Sequence, residues 1–129
     1  MKTLEGFALF AGYLALSLTM LAAFTWLYIR VTPYDDLTEI AAGKMAPAIA
    51  LSGAMLGFTF PLLVASYLQT DIAGFVAWSL ISCAVQLGVF WCLHRYLPPR
   101  IETNNTAGAT CYAAAAVCAG LLNAASFIP

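Results

Sequence analysis

Apolar positions along this chain neither alternate nor recur with the period of a half-buried helix; they run together. Four segments, Gly6 to Ile29, Met45 to Thr70, Ile72 to Leu93 and Thr103 to Pro129, hold no Asp, Glu, Lys or Arg. Each exceeds the roughly 20 residues that cross about 30 Å of hydrocarbon at about 1.5 Å per residue. Barrel strands would read as short alternating runs of about ten residues, and none occur. Helices satisfy their own backbone groups, so they are the structure that such runs can adopt in lipid. The pattern predicts an all-α integral membrane four-helix bundle, one transmembrane domain over residues 1–129, with spans near 7–29, 45–68, 73–94 and 107–127. Met1-Lys2 followed by an apolar run has the outline of a secretory leader. That run is too long and lacks a small-residue cleavage site, so it is read as a span.

The polar punctuation between spans carries its own signals. Thr32 to Gly43 reads as a short helix lying at the membrane surface. Thr32 is placed to cap it, Pro33 suits its first position, Asp35 and Asp36 suit its positive end, and Gly43 ends it. Leu37 and Ile40 are spaced to dip into the lipid interface. The acids Asp35, Asp36 and Glu39 are expected to form a solvated face. Asp71, in a tight turn, is expected to cap the third span, and Asn105 or Thr106 the fourth.

Small residues recur. An offset of about sixty positions lays Ile40-x-x-Gly43-x-x-Ala46-x-Ala48 on Ile101-x-x-Asn104-x-x-Ala107-x-Ala109, brings Gly53-Ala54 opposite Ala114-Ala115, and sets Gly57 opposite Cys118. The reading is two tandem two-span hairpin repeats, units 1–68 and 69–129, sharing one orientation about an axis along the membrane normal. Ala46, Ala50, Gly53 or Ala54, and Gly57 stripe the second span; Ala109, Ala113, Ala116, Gly120 and Ala124 stripe the fourth. In lipid, helices associate best where backbones approach closely, so Ala46, Gly53, Gly57, Ala116 and Gly120 are the expected packing residues. The bulkier first and third spans are expected to face lipid. Pro61 is expected to kink the second span near Thr59.

Charge then adds direction. Arg30 and Lys44 flank the first connection and Arg95 and Arg100 lie in the third, against Lys2 alone on the opposite side. The positive-inside tendency places those connections in the cytoplasm and both termini outside it. Trp26, Tyr28, Trp91 and Tyr96 are expected to form one interfacial belt, with Tyr67, Phe75 and Trp78 near the other face. A net charge of −1 offers nucleic acid no basic patch and excludes it as a partner. Composition agrees with the pattern: 63% hydrophobic and 9% charged, a mixture foreign to water-soluble domains.

Candidate chemistry is sparse. Cys83, Cys92, Cys111 and Cys118 form no CxxC and read as small apolar packing residues; His94 alone cannot complete a metal site. No metal, cofactor or catalytic residue is implied. Without an ionised group deep in a span, proton coupling and voltage sensing lose their usual carriers. What remains polar inside the spans is hydroxyls, among them Ser52 and Thr59, and the amides Gln86 and Asn123. These are candidates for interhelical hydrogen bonds or for an uncharged pathway. Two functions stay open: a homo-oligomeric or accessory interaction subunit, associating with itself or with another membrane protein, and an oligomeric channel or passive transporter. An enzyme is not expected.

Thr32-Pro33-Tyr34-Asp35 leading to Glu39-Ile40-x-x-Gly43, the Gly53-Ala54-Met55-Leu56-Gly57 stretch, Val85-Gln86-Leu87 and the closing Gly120-Leu121-Leu122-Asn123-Ala124 resemble the DUF350 family of bacterial inner-membrane proteins over nearly the whole chain. The likeness departs at Gly43-Lys44, where the family pattern has Gly-Asn. It implies a bacterial inner-membrane location and a duplicated two-span architecture. It implies no activity and carries over no site residue.

Overall fold

A computed structural model describes residues 2–32, 35–68, 71–96 and 104–128. Five helices follow in chain order: α1 (Lys2–Val31), the short α2 (Asp36–Ala41), α3 (Met45–Leu68), α4 (Ile72–Tyr96) and α5 (Thr106–Ala125). The four long ones are long and apolar enough to cross a membrane.

Each polar connection ends and starts helices by identifiable contacts. Asp35 caps α2, its Oδ1 accepting from the Thr38 amide at 3.2 Å, so the cap is Asp35 where the sequence suggested Thr32. Pro33 and Tyr34 lie outside the described residues. Gly43 takes a φ of +85°, open to a residue without Cβ, and reverses the chain into α3. Asp71 Oδ2 accepts from the Gly74 amide at 3.2 Å at the head of α4, and Asn105 accepts from the Gly108 amide at the head of α5. Asn104 has a φ of +51°, and its side chain reaches across to accept from the Ala46 amide of α3 at 3.0 Å. Lys44 stands immediately before α3 and carries no acceptor, so one of that helix's orphan amides is satisfied from the α4–α5 connection instead.

α3 and α5 form the tightest pair. A Cβ added to Gly53 would meet Ala113 Cα at 2.5 Å; one on Gly57 would meet the Ala116 carbonyl oxygen at 2.8 Å; one on Gly120 would meet the Gly57 oxygen at 2.4 Å. Contacts that climb both helices together show that they run parallel. Ala46, Ala50, Ala54, Ala109, Ala116 and Ala124 are buried along the same pair. Pro61 sits within α3 and brings no N–H to the Gly57 carbonyl, and that oxygen lies where a Gly120 side chain would begin. A Gly120 Cα hydrogen fills the place, in the manner of a weak Cα–H···O contact.

α1 and α4 join this pair through rings rather than backbones. Phe24 of α1 packs on Phe58 of α3 at 5.6 Å, Phe58 on Phe90 of α4 at 5.3 Å, and Phe90 on Tyr28 at 5.0 Å, mostly edge to face. Two aromatic assignments change as a result. Tyr28 and Phe75 belong to the core and not to interfacial belts: Tyr28 is 1% exposed, and Phe75 is fully buried against Tyr13. Trp26 and Trp91 do stand outside, each under an arginine one turn on, Arg30 at 5.1 Å and Arg95 at 5.9 Å. Of the cysteines only Cys83 is buried; Cys92, Cys111 and Cys118 are exposed, so packing does not explain them. The first three turns of α1, before Tyr13, face outward: Leu4, Phe7 and Phe10 are exposed.

Candidate functional site

Polar groups collect in two places. The first is the inner face of α4, where the helical spacing of Ser79, Ser82 and Gln86 turns all three toward α5 and buries them. Gln86 Nε2 donates to the Ala116 carbonyl of α5 at 3.0 Å. It fits because Gly57 has no side chain: a Cβ there would stand 2.6 Å from the same nitrogen. Asn123 Nδ2 donates back from α5 to the Ser82 carbonyl at 3.1 Å. The two amides therefore stitch α4 and α5 at two depths. Ser79 Oγ and Gln86 Oε1 are buried without a partner.

Ser52 and Thr59 do not join this line. Each hydroxyl donates to a carbonyl one turn back in its own helix, Ser52 to Ala48 and Thr59 to Met55, and Ser52 faces outward. The small residues also take a definite role. Gly53, Gly57, Ala116 and Gly120 face one another inside the chain, so they are not offered to a second molecule.

The second place is the end of the bundle where α1 finishes and α3 and α5 begin. Tyr28 Oη donates to Tyr112 Oη at 3.1 Å, and Tyr112 Oη lies 3.2 Å from His94 Nδ1, which is also 3.0 Å from the Phe90 carbonyl. A chain of three polar side chains thus ties α1, α5 and α4 together around Phe90. Beside the end of α1, Asp36 is wholly buried, which corrects the expectation of a solvated acidic face. Its Oδ2 is 2.7 Å from Thr32 Oγ1, and Oδ1 has no partner. Burial pushes the carboxyl up to about 6, the Thr32 hydroxyl works against that, and the neighbouring Asp35 adds to it. Asp35, by contrast, is held below the usual carboxylate range by the hydroxyl and amide of Thr38. Glu39 and Lys44 form an ion pair at the rim.

Sequence reasoning singled out Gln86 and Asn123 because amides are rare in spans. It missed Tyr28, Tyr112, His94 and Asp36, since each also fits a helix end wetted by water; only packing turns them inward. No group of three or more His, Cys, Asp or Glu able to hold a metal ion exists among the described residues.

Four apolar helices, each long enough to cross a bilayer and with charge confined to the ends, define an integral multi-pass helical membrane protein. The model of the family described as Domain of Unknown Function (DUF350) matches residues 2–127. The chain belongs to that family. It is 30% identical over 128 residues to the inner membrane protein YjfL of Escherichia coli K12, covering 97% of both chains, and equally so to YjfL of Escherichia coli O157:H7. No solved structure matches.

Proposed function

We propose that this protein is a non-enzymatic subunit of a bacterial inner membrane that works by association, with its own copies or with another membrane protein. One observation carries the reading: the small residues of α3 and α5 are spent on each other within the chain, while the first three turns of α1 present large apolar side chains outward. Leu4, Phe7 and Phe10 are 77%, 68% and 63% exposed there. Association would then run through α1 and not through the glycines that α3 and α5 turn on each other. Crosslinking from cysteines placed at Phe7 or Phe10 in native membranes tests it. Specific adducts support the reading, and purely monomeric protein in mild detergent with no adduct overturns it.

The same proposal takes the first and third connections as cytoplasmic, both termini as outside, and the two hairpins as copies. Support for the duplication is local. Gly43 and Asn104, equivalent under the offset, both hold left-handed backbones. Gly57 rests between Ala116 and Gly120, on either side of Cys118, its counterpart.

A second reading, an oligomeric channel or passive transporter, is favoured by one feature, the unpartnered Ser79 Oγ and Gln86 Oε1 on the inner face of α4. Flux of small ions or solutes into proteoliposomes that falls on Gln86→Leu supports it. Tight vesicles for all of them exclude it.

A further inference from the structure

Asp36 is the one acid in the described residues with no exposure at all, and its surroundings count protons. Thr32 Oγ1 lies 2.8 Å from the Ile29 carbonyl and 2.7 Å from Asp36 Oδ2. A hydroxyl has one hydrogen, so it cannot donate to both acceptors. If Asp36 is ionised, two oxygens of the Thr32–Asp36–Ile29 chain face each other with one proton too few, and an uncompensated charge sits out of water with Oδ1 unpartnered. If Asp36 carries a proton on Oδ2, the acid donates to Thr32 Oγ1, Thr32 donates to Ile29, and Oδ1 is a neutral carbonyl oxygen, cheaper to bury. Two helix ends meet here with opposite effects: the negative end of α1 disfavours an anion, while the positive end of the short α2, which begins at Asp36, favours one.

Among the described residues no cation is paired with Asp36. Arg30, at the end of α1, lies over Trp26 on the outer surface. On α2 the other acids are Asp35, engaged with Thr38, and Glu39, engaged with Lys44. α3, which packs on α2, has no acidic or basic residue in its first turn. Beyond it stand Tyr28, Tyr112 and His94, joined to one another; Arg100 and Glu102 lie outside the described residues.

We propose that Asp36 is a proton-binding site and that its protonated form fastens α2 onto the bundle. The protonated acid is favoured in the docked helix, with a carboxyl near 6 against 3.8 in water. The sign follows: docking is strongest below about pH 4, weakens as pH rises through about 6, and is level above that. A proton taken up at this end of the bundle would thus move the connection that bears Leu37 and Ile40.

Hydrogen exchange of the α2 amides in the purified full chain, corrected for intrinsic rates, tests this between pH 4 and pH 7. Wild-type protection should fall on the order of fifty-fold over that range, from a shift of about two units. Asp36→Asn, which keeps the shape without the charge, should stay level, and His94→Gln should fall like wild type. A fall that survives Asp36→Asn, or that vanishes in His94→Gln, overturns the proposal. Should Asp36→Asn not assemble, carbon-13 aspartate spectra of the wild type decide: three aspartates are present, and one should titrate near 6. All titrating below about 4.5, or a midpoint that moves with sodium at constant ionic strength, defeats it.

Discussion

The α3–α5 pair and α1 solve the same problem in lipid by different means. Where α3 meets α5, side chains are missing and the backbones approach until a single methyl has no room. Where α1 meets the rest, Phe24 and Tyr28 reach in from one end and Tyr13 from further along, while nothing stands within 4 Å of a Cβ added at Gly6 or Gly12. Lipid supplies little hydrophobic drive between helices, so packing and hydrogen bonds decide. The first contact is therefore rigid and intolerant of volume, whereas the second rests on a few rings that can adjust. Glycine by itself says nothing about which regime applies; the neighbour does.

That contrast can be broken by substitution. Gly120→Ala should have the largest effect, because the added carbon would overlap the Gly57 oxygen and Cα, both backbone. A loss of about 2–3 kcal/mol or more is expected from overpacking at a site that cannot give, read as a lowered thermal midpoint in detergent. Gln86→Ala should cost less, about 1–2 kcal/mol, since it removes the bond to Ala116 and leaves a space beside Gly57. Tyr28→Phe keeps the ring on Phe90 and deletes the donor to Tyr112, for about 1 kcal/mol. Gly12→Ala should lie within about 0.5 kcal/mol of wild type, having open space around it. If Gly12→Ala proved as damaging as Gly120→Ala, a protein neighbour would have to cover α1, which is the association proposed for it.

The spans were legible because ionised groups cannot sit in hydrocarbon, so the gaps between charges measure helices directly. Asp71 and Asn105 were legible as caps for an equally local reason, a short acceptor one turn before an apolar run. Tyr28 was not, because an aromatic near a helix end satisfies both an interfacial and a buried environment, and only the presence of Tyr112 on another helix chooses between them. Asp36 was hidden by its company: beside Asp35 it reads as a wetted pair, yet one is fully exposed in its bonding to Thr38 and the other is enclosed. The small-residue stripes announced close approach without saying to whom, and it is the partner, α5, that removes them from any outer surface.

Pro61 has a bearing on how the protein is made. Once α3 has entered the bilayer, the Gly57 oxygen it strips of a donor has no water to turn to, and the group that finally shelters it lies on α5, made only after α4. The hairpin of α3 and α4 should therefore stay incomplete until α5 has been made, and chains stopped short of Thr106 should be degraded faster in pulse-chase than chains that extend through Ala125.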